Sequence, residues 1–298
     1  MQLLNFVIPL ALVIAPMGLV VGYIVYTRKR MNEKRKNPIN VDLLRSPGES
    51  LTEQLESKSV DIDAYLTVLV VAPLFSYTFY LQSNQSVANA IIFAIVGLSF
   101  TLFFAYKLAQ LAQVRSKLQL GYDAELAVGQ ELNSLMREGY FVFHDVHLNN
   151  SADDYNIDHV VIGASGVFAV ETKGRSKLVQ KGGKVEFKVK YDGTQLIFPN
   201  KVEIEPIEQA KRQAISLQKW LSAAVGESVE VKPVLAIPGW FTEGRGEVAI
   251  INGKNSAGYF NGARGQKLSD KLIIQIAHQL EQCSRNVKPQ AYSNKKSQ

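Results

Sequence analysis

The chain has 298 residues, 47% of them hydrophobic and only 20% charged, with a formal net charge of +6. The apolar excess lies before residue 110, which excludes a uniformly soluble chain and predicts a membrane part followed by a polar domain. Its single cysteine, Cys283, excludes an internal disulfide, and the basic balance favours nucleic acid or anionic lipid as a partner.

Residues 3–26 carry no charge and are long enough for a bilayer, which takes about 20 apolar residues. They read as a first transmembrane helix over residues 1–27, not as a signal peptide, because the basic residues come after the apolar run instead of preceding it. Arg28, Lys29, Arg30, Lys34, Arg35 and Lys36 place the next segment in the cytoplasm and the N-terminus outside. Residues 28–63 form a cytoplasmic basic and polar loop, with room for a short helix at 51–57. Apolar runs at 65–81 and 87–106, joined by a polar turn, predict a transmembrane helical hairpin over 64–107; a re-entrant loop is the alternative for the shorter run. No acid or base lies inside these runs before Lys107, so transport has no residue to carry it and the spans read as anchors. Lys107, Arg115 and Lys117 return the chain to the cytoplasm, giving three spans of a cell inner membrane with the lipid bilayer as one partner.

Residues 108–120 continue as a helical connector, and a domain is expected over 121–285. It opens on an amphipathic helix from 122 to 137, with Leu126, Leu132, Leu135 and Met136 on one face and Gly139 as its C-cap. Asp123 and Glu125 fall in its first turn, where the helix dipole alone would favour them. Next come a strand at 140–148 and a polar loop at 149–155. His144 and His147 are three apart in that strand and face opposite sides. With His159, they are assigned structural roles, and no zinc site is expected.

The central stretch is 156–173, in which two β-branched and aromatic runs flank Gly163-Ala-Ser-Gly166, the form of a tight antiparallel hairpin. A two-residue loop pairs Gly163 with Gly166 and sets Asp158 opposite Glu171, with Cβ atoms roughly 5 Å apart and Lys173 on the same side. A three-residue loop would send Asp158 to the other face. Two facing carboxylates repel by about a few kcal/mol, only partly offset by one lysine. Oxygen-only ligation by Asp158 and Glu171 suits Mg²⁺ or Mn²⁺, and Lys173 could hold water or steady charge on a phosphorane. The plain alternative is a solvated hairpin face with an ordinary ion pair.

Residues 174–200 are strand-like and basic. Arg175, Lys177, Lys181, Lys184 and Lys188, interleaved with Phe187, Tyr191 and Phe198, form a candidate nucleic-acid surface, or else lysine-protected edge strands. Pro206 opens a helix whose Ile207, Ala210, Ala214, Leu217 and Leu221 form a buried stripe, with Gln209 in its first turn. Strands at 229–237 and 248–251, a helix at 269–282 capped by Ser269, and a disordered basic tail at 286–298 complete the chain.

Gly121-Tyr-Asp-Ala-Glu125, Asn156-Ile-Asp158-His159, the Gly-Val-Phe run into Glu171-Thr-Lys173, and Pro206-Ile-Glu-Gln209 together resemble the nuclease-related domain (NERD) family of the restriction-endonuclease-like PD-(D/E)xK group. The resemblance covers about residues 118–235. It implies an α/β restriction-endonuclease-like fold: a helix, a three-strand antiparallel meander, a helix and further strands. It implies Asp158 and Glu171 as metal ligands, Lys173 as the catalytic lysine, Glu125 as a helix carboxylate and Gln209 as an accessory group. The expected protein is thus a membrane-anchored, Mg²⁺-dependent nuclease acting on nucleic acid, DNA ahead of RNA, with a homo-oligomer left open. The alternative is an inactive membrane-tethered module that binds nucleic acid or protein.

Overall fold

The computed structural model describes residues 2–148, 156–179, 182–183, 185–254, 256–263 and 266–292, with backbone alone at 2–7, 9–10 and 13–14. In chain order its elements are α1 (Gln2–Lys34), β1 (Leu43–Leu44), α2 (Glu49–Gln82), α3 (Val87–Asn133), β2 (Phe141–His147), β3 (Asn156–Gly163), β4 (Gly166–Thr172), β5 (Lys188–Tyr191), β6 (Leu196–Phe198), β7 (Lys201–Glu203), α4 (Glu205–Val225), β8 (Val231–Ala236), β9 (Phe241–Gly244), β10 (Ala249–Ile251), α5 (Ser256–Gly262), α6 (Asp270–Ser284) and β11 (Arg285–Val287). They divide between two units, one of residues 1–42, 56–115 and 288–298, the other of 43–55 and 116–287.

In the first unit, α2 and α3 meet around a polar turn, where the Ser76 hydroxyl donates to the Phe93 carbonyl at 2.5 Å. A hydroxyl turned onto a neighbouring helix's backbone is a device suited to an apolar setting. Large apolar side chains such as Leu98, Leu102 and Val70 face outward. Among the described residues, the helices long and apolar enough to cross a membrane are the two that carry the expected hairpin. The expected first span falls within α1, which is helical, but three spans are not shown.

Two expected boundaries move. The segment 51–57 is the beginning of α2, and the connector at 108–120 does not end before a new helix, because α3 runs unbroken through Gly121 to Asn133. Gly121 is a packing position there: a Cβ on it would lie 3.3 Å from Leu51. A 3-10 turn, Ser134–Glu138, then ends at Gly139 with φ 86°, the left-handed C-cap expected from the sequence.

The second unit is a three-layer α/β structure. Its main sheet has the order β10-β8-β4-β3-β2, with β2, β3 and β4 as an antiparallel meander and β8 and β10 added parallel to β4. Period-two alternation sorts the core. Val160, Ile162, Val167 and Ala169 pack with Leu217, Leu221, Ile276 and Leu280 of α4 and α6, whereas Val161, Phe168 and Val170 pack with Val128, Leu132 and Phe260. A smaller sheet, β7-β6-β5-β9, closes around Trp240 and Ile207. Finally β11 pairs with β1, so Asn286 and Val287 of the expected tail are in a strand, and the remainder from 293 lies outside the described residues.

The meander is sterically keyed at Gly163, where a Cβ would lie 2.3 Å from the Tyr140 ring, itself fixed by bonds from its hydroxyl to Ser165 and Asn261. Gly163→Ala should therefore cost about 1–3 kcal/mol by overpacking. Gly258→Ala, where nothing lies within 4 Å of the added methyl, should cost nothing. Urea midpoints of the two variants check this; equal midpoints would mean that Tyr140 does not occupy that space.

Candidate active site

The pairs Gly163↔Gly166, Val161↔Phe168 and His159↔Val170 are the register that a two-residue loop at Ala164 and Ser165 requires. Counting outward by strand parity, Asp158 and Glu171 fall on the face shared by Val160, Ile162, Val167 and Ala169, which α4 covers. The Thr172 amide donates to Asp158 Oδ2 at 2.7 Å, and the Lys173 ammonium bonds Glu171 Oε1. Gln213 reaches down from α4: its Nε2 donates to Glu171 Oε2 at 2.6 Å and to the Asn156 carbonyl at 2.9 Å.

Glu125 joins them from α3. Its approach depends on Gly174, immediately after Lys173, where a Cβ would sit 2.5 Å from the Leu120 carbonyl oxygen and 3.0 Å from Ala124. Only a residue without a side chain lets the helix backbone pass this close to the end of β4.

The cluster is crowded with negative charge. Glu125, Asp158 and Glu171 are all buried, and Lys173 is the cation they share. Burial, then the charges of Asp145 and Glu171, raise the Glu125 carboxyl from 4.5 to about 8 against the pull of Lys173. Burial, then Glu171 and Glu125, likewise push Asp158 well above the carboxylate range, which Lys173 and the Thr172 amide only partly offset. Such a site takes up protons at neutral pH or demands another cation. Among the described residues no three His, Cys, Asp or Glu side chains converge as a formed metal site; the Asp158 and Glu171 oxygens are turned to the Thr172 amide, Lys173 and Gln213.

Asp158, Glu171, Lys173 and Glu125 are therefore brought together. Glu125 lies in the interior of α3 and not in a first turn, so the helix dipole does not account for it. Gln209 is not brought to the cluster: it is half-buried and makes no hydrogen bond there among the described residues, and Gln213, one turn further on, takes the position beside Glu171. The available signal was a glutamine set within the apolar stripe Ala210, Ala214 and Leu217, a polar residue on a buried face.

The basic surface is partly neutralised. Arg175 is held by both oxygens of Glu203, Lys188 pairs with Glu243 at 2.6 Å, and Lys177 lies 5.7 Å from the centre of the Trp240 ring. Lys181 and Lys184 lie outside the described residues.

The histidines serve the scaffold. His144 and His159 are cross-strand neighbours whose Nδ1 atoms are 2.9 Å apart, with His144 Nε2 bound to Asn133 Oδ1 at 3.0 Å. His147 lies 3.1 Å from Ser50 Oγ. Burial holds His144 down to about 4, opposed by the charge of Asp145.

Residues 120–238 match the family model described as a nuclease-related domain, and the site just described lies within that range. No curated protein and no solved structure matches the chain.

The His144 shift has a thermodynamic consequence. Between pH 6.5 and about 4 the unfolded chain protonates His144 and the folded chain does not, so this residue's contribution is present above that window and is lost as pH falls through it. The raised carboxylates act in the opposite sense, so the comparison must be with a variant. His144→Asn should gain on the order of 3 kcal/mol relative to the unsubstituted chain from pH 7 to pH 4. Chemical unfolding across that range checks it; a difference independent of pH would remove the assignment.

Proposed function

We propose that the chain is a membrane-anchored, metal-dependent nuclease of the restriction-endonuclease-like group that hydrolyses phosphodiester bonds in nucleic acid, DNA ahead of RNA. The observation that carries this reading is the set of buried carboxylates Asp158, Glu171 and Glu125 with the half-buried Lys173, assembled by one hairpin and one helix inside a nuclease-related domain. In the same reading α1, α2 and α3 supply three inner-membrane spans, with the N-terminus outside and the unit of residues 43–55 and 116–287 in the cytoplasm. The length and apolar composition of α2 and α3 support an anchor.

The donor set fits a hard divalent cation. Asp158 and Glu171 offer only oxygens, and their raised or crowded charge is the penalty such an ion relieves. They would hold Mg²⁺ or Mn²⁺, which when bound supplies charge compensation at a phosphate oxygen. Lys173, a quarter exposed beside Glu171, orients water at the phosphorus or steadies charge developing there. Glu125 holds a proton at neutral pH next to that group. Gln213 fixes the rotamer of Glu171 by binding the oxygen that Lys173 leaves. Nucleic-acid contact draws on Lys177 and on lysines of the 174–200 segment, with Arg175 and Lys188 first having to leave their glutamate partners.

The test is cleavage of single- and double-stranded DNA and RNA by the detergent-purified full chain with Mg²⁺, Mn²⁺ or EDTA. Lys173→Ala and Asp158→Ala should abolish metal-dependent cleavage, Gln213→Ala should lower it about 10- to 100-fold, and Gln209→Ala should leave it near the unsubstituted level. Cleavage that survives Lys173→Ala overturns the mechanism. Salt-sensitive binding without cleavage would identify a tethered binding module, a reading that the internal pairing of the Asp158 and Glu171 oxygens favours.

A further inference from the structure

Outside the range matched by the family, residues 43–55 form a strap that belongs to the second unit. Its strand β1 pairs with β11, and the Arg45 amide donates to the Ser284 carbonyl at 3.0 Å. Gly48 lies over Tyr122, and a Cβ placed on it would be 3.8 Å from Glu125 Oε2; Pro47 fills the space beside Gly129. The strap thus lies along the part of α3 that carries Glu125.

Its polar centre is Arg45, whose side chain is 8% exposed and meets the fully buried Asp145 of β2. Arg45 Nε donates to Asp145 Oδ2 at 2.7 Å, and its Nη2 lies 2.6 Å from the same oxygen. The amide and hydroxyl of Ser50 also bind Asp145, each at 2.8 Å from Oδ2. Asp145 adopts φ 47°, a left-handed conformation that a non-glycine residue keeps only where its surroundings enforce it. Burial alone would raise its carboxyl, but His147, Arg45, Asn156 and Ser50 together hold it well below the usual carboxylate range.

The other oxygen of Asp145 leads inward. Asn156 Nδ2 bonds Asp145 Oδ1, the Asn156 carbonyl accepts from Gln213 Nε2, and that same Nε2 binds Glu171, the partner of Lys173. A continuous run of hydrogen bonds therefore joins a residue of the strap, through β2, β3 and α4, to the candidate catalytic pair. Charge-assisted bonds stand at both ends of it, where burial makes them strongest and their loss most costly.

We propose that Arg45 is a positioning residue for the Glu171–Lys173 pair, acting through Asp145, Asn156 and Gln213, so that the active unit includes the strap that precedes the nuclease-related domain. This rests on the nuclease reading for its effect on rate, but not for the coupling itself. Without Arg45, the buried Asp145 loses its guanidinium partner and keeps only Ser50, Asn156 and His147; it has to draw Asn156 closer or take up a proton, and Gln213 then loses its fixed carbonyl partner.

The experiment uses the full chain in detergent with Arg45→Met, Arg45→Lys, Asp145→Asn and the double variant Arg45→Met/Asp145→Asn. Backbone hydrogen exchange is the first readout. Arg45→Met should speed exchange at the end of β4, around Thr172 and Lys173, as well as in 43–55, with Arg45→Lys showing the same pattern more weakly if the methionine variant is poorly folded. The double variant, which removes both charges, should restore β4. In cleavage assays Arg45→Met should lower kcat about 10- to 100-fold with KM little changed, and Gln213→Ala added to it should cost little more, because both act on one path. Exchange that changes only in 43–55 and 285–287 would overturn the proposal and leave the strap a clasp. Coupled exchange in a chain that cleaves no nucleic acid would uphold the coupling and remove the nuclease reading.

Discussion

The site depends on one register. The turn at Ala164 and Ser165 pairs Gly163 with Gly166, and from that pair every side chain of β3 and β4 is assigned to a face. A slip of one residue in β3 would turn Asp158 toward the Phe168 side of the sheet and bury Val161 under α4 in place of Val160. The core and the acidic cluster specify the same register. The apolar layers on both faces hold the carboxylates where their mutual repulsion would otherwise part them.

Given that register, the chemistry comes from an imbalance of charge. Three buried carboxylates meet one ammonium, and Asp145 adds a fourth negative group nearby that is neutralised from a different part of the chain, by Arg45. The two arrangements are complementary. Asp145 is saturated with donors and stays ionised, a fixed structural charge. Glu125 and Asp158 are undersupplied with donors, and burial with the neighbouring carboxylates raises both above the usual carboxylate range. Asn156 and Gln213 link the two sets: Asn156 donates to Asp145, and its carbonyl accepts from Gln213, which also donates to Glu171.

The strap also changes where the domain begins. Residues 120–238 contain the catalytic candidates, but without Arg45 and Ser50 the buried Asp145 would keep only Asn156 and His147, and the first turn of α2 that helps satisfy it belongs to a helix that continues into an apolar stretch. The basic segment after β4 is likewise less free than its composition indicates. Glu203 and Glu243, distant in sequence from Arg175 and Lys188, neutralise part of its charge within the fold.

Local pattern determined the hairpin, the meander, the amphipathic stripe of α4, the Gly139 cap and the Ser269 cap, because periodicity, turn chemistry and capping act over a few residues. It therefore also determined Asp158, Glu171 and Lys173, which one hairpin brings together. It misplaced the start of the helix bearing Glu125, since the glycine at 121 serves packing against Leu51 and not a break, and it chose Gln209 over Gln213, since which turn of α4 lies over Glu171 depends on how the helix seats on the sheet. Arg45 and Asp145 were not legible at all. They stand 100 positions apart in the chain, and only the tertiary fold, which seats the strap of residues 43–55 against Asp145, removes both from water, which is what makes their pairing necessary.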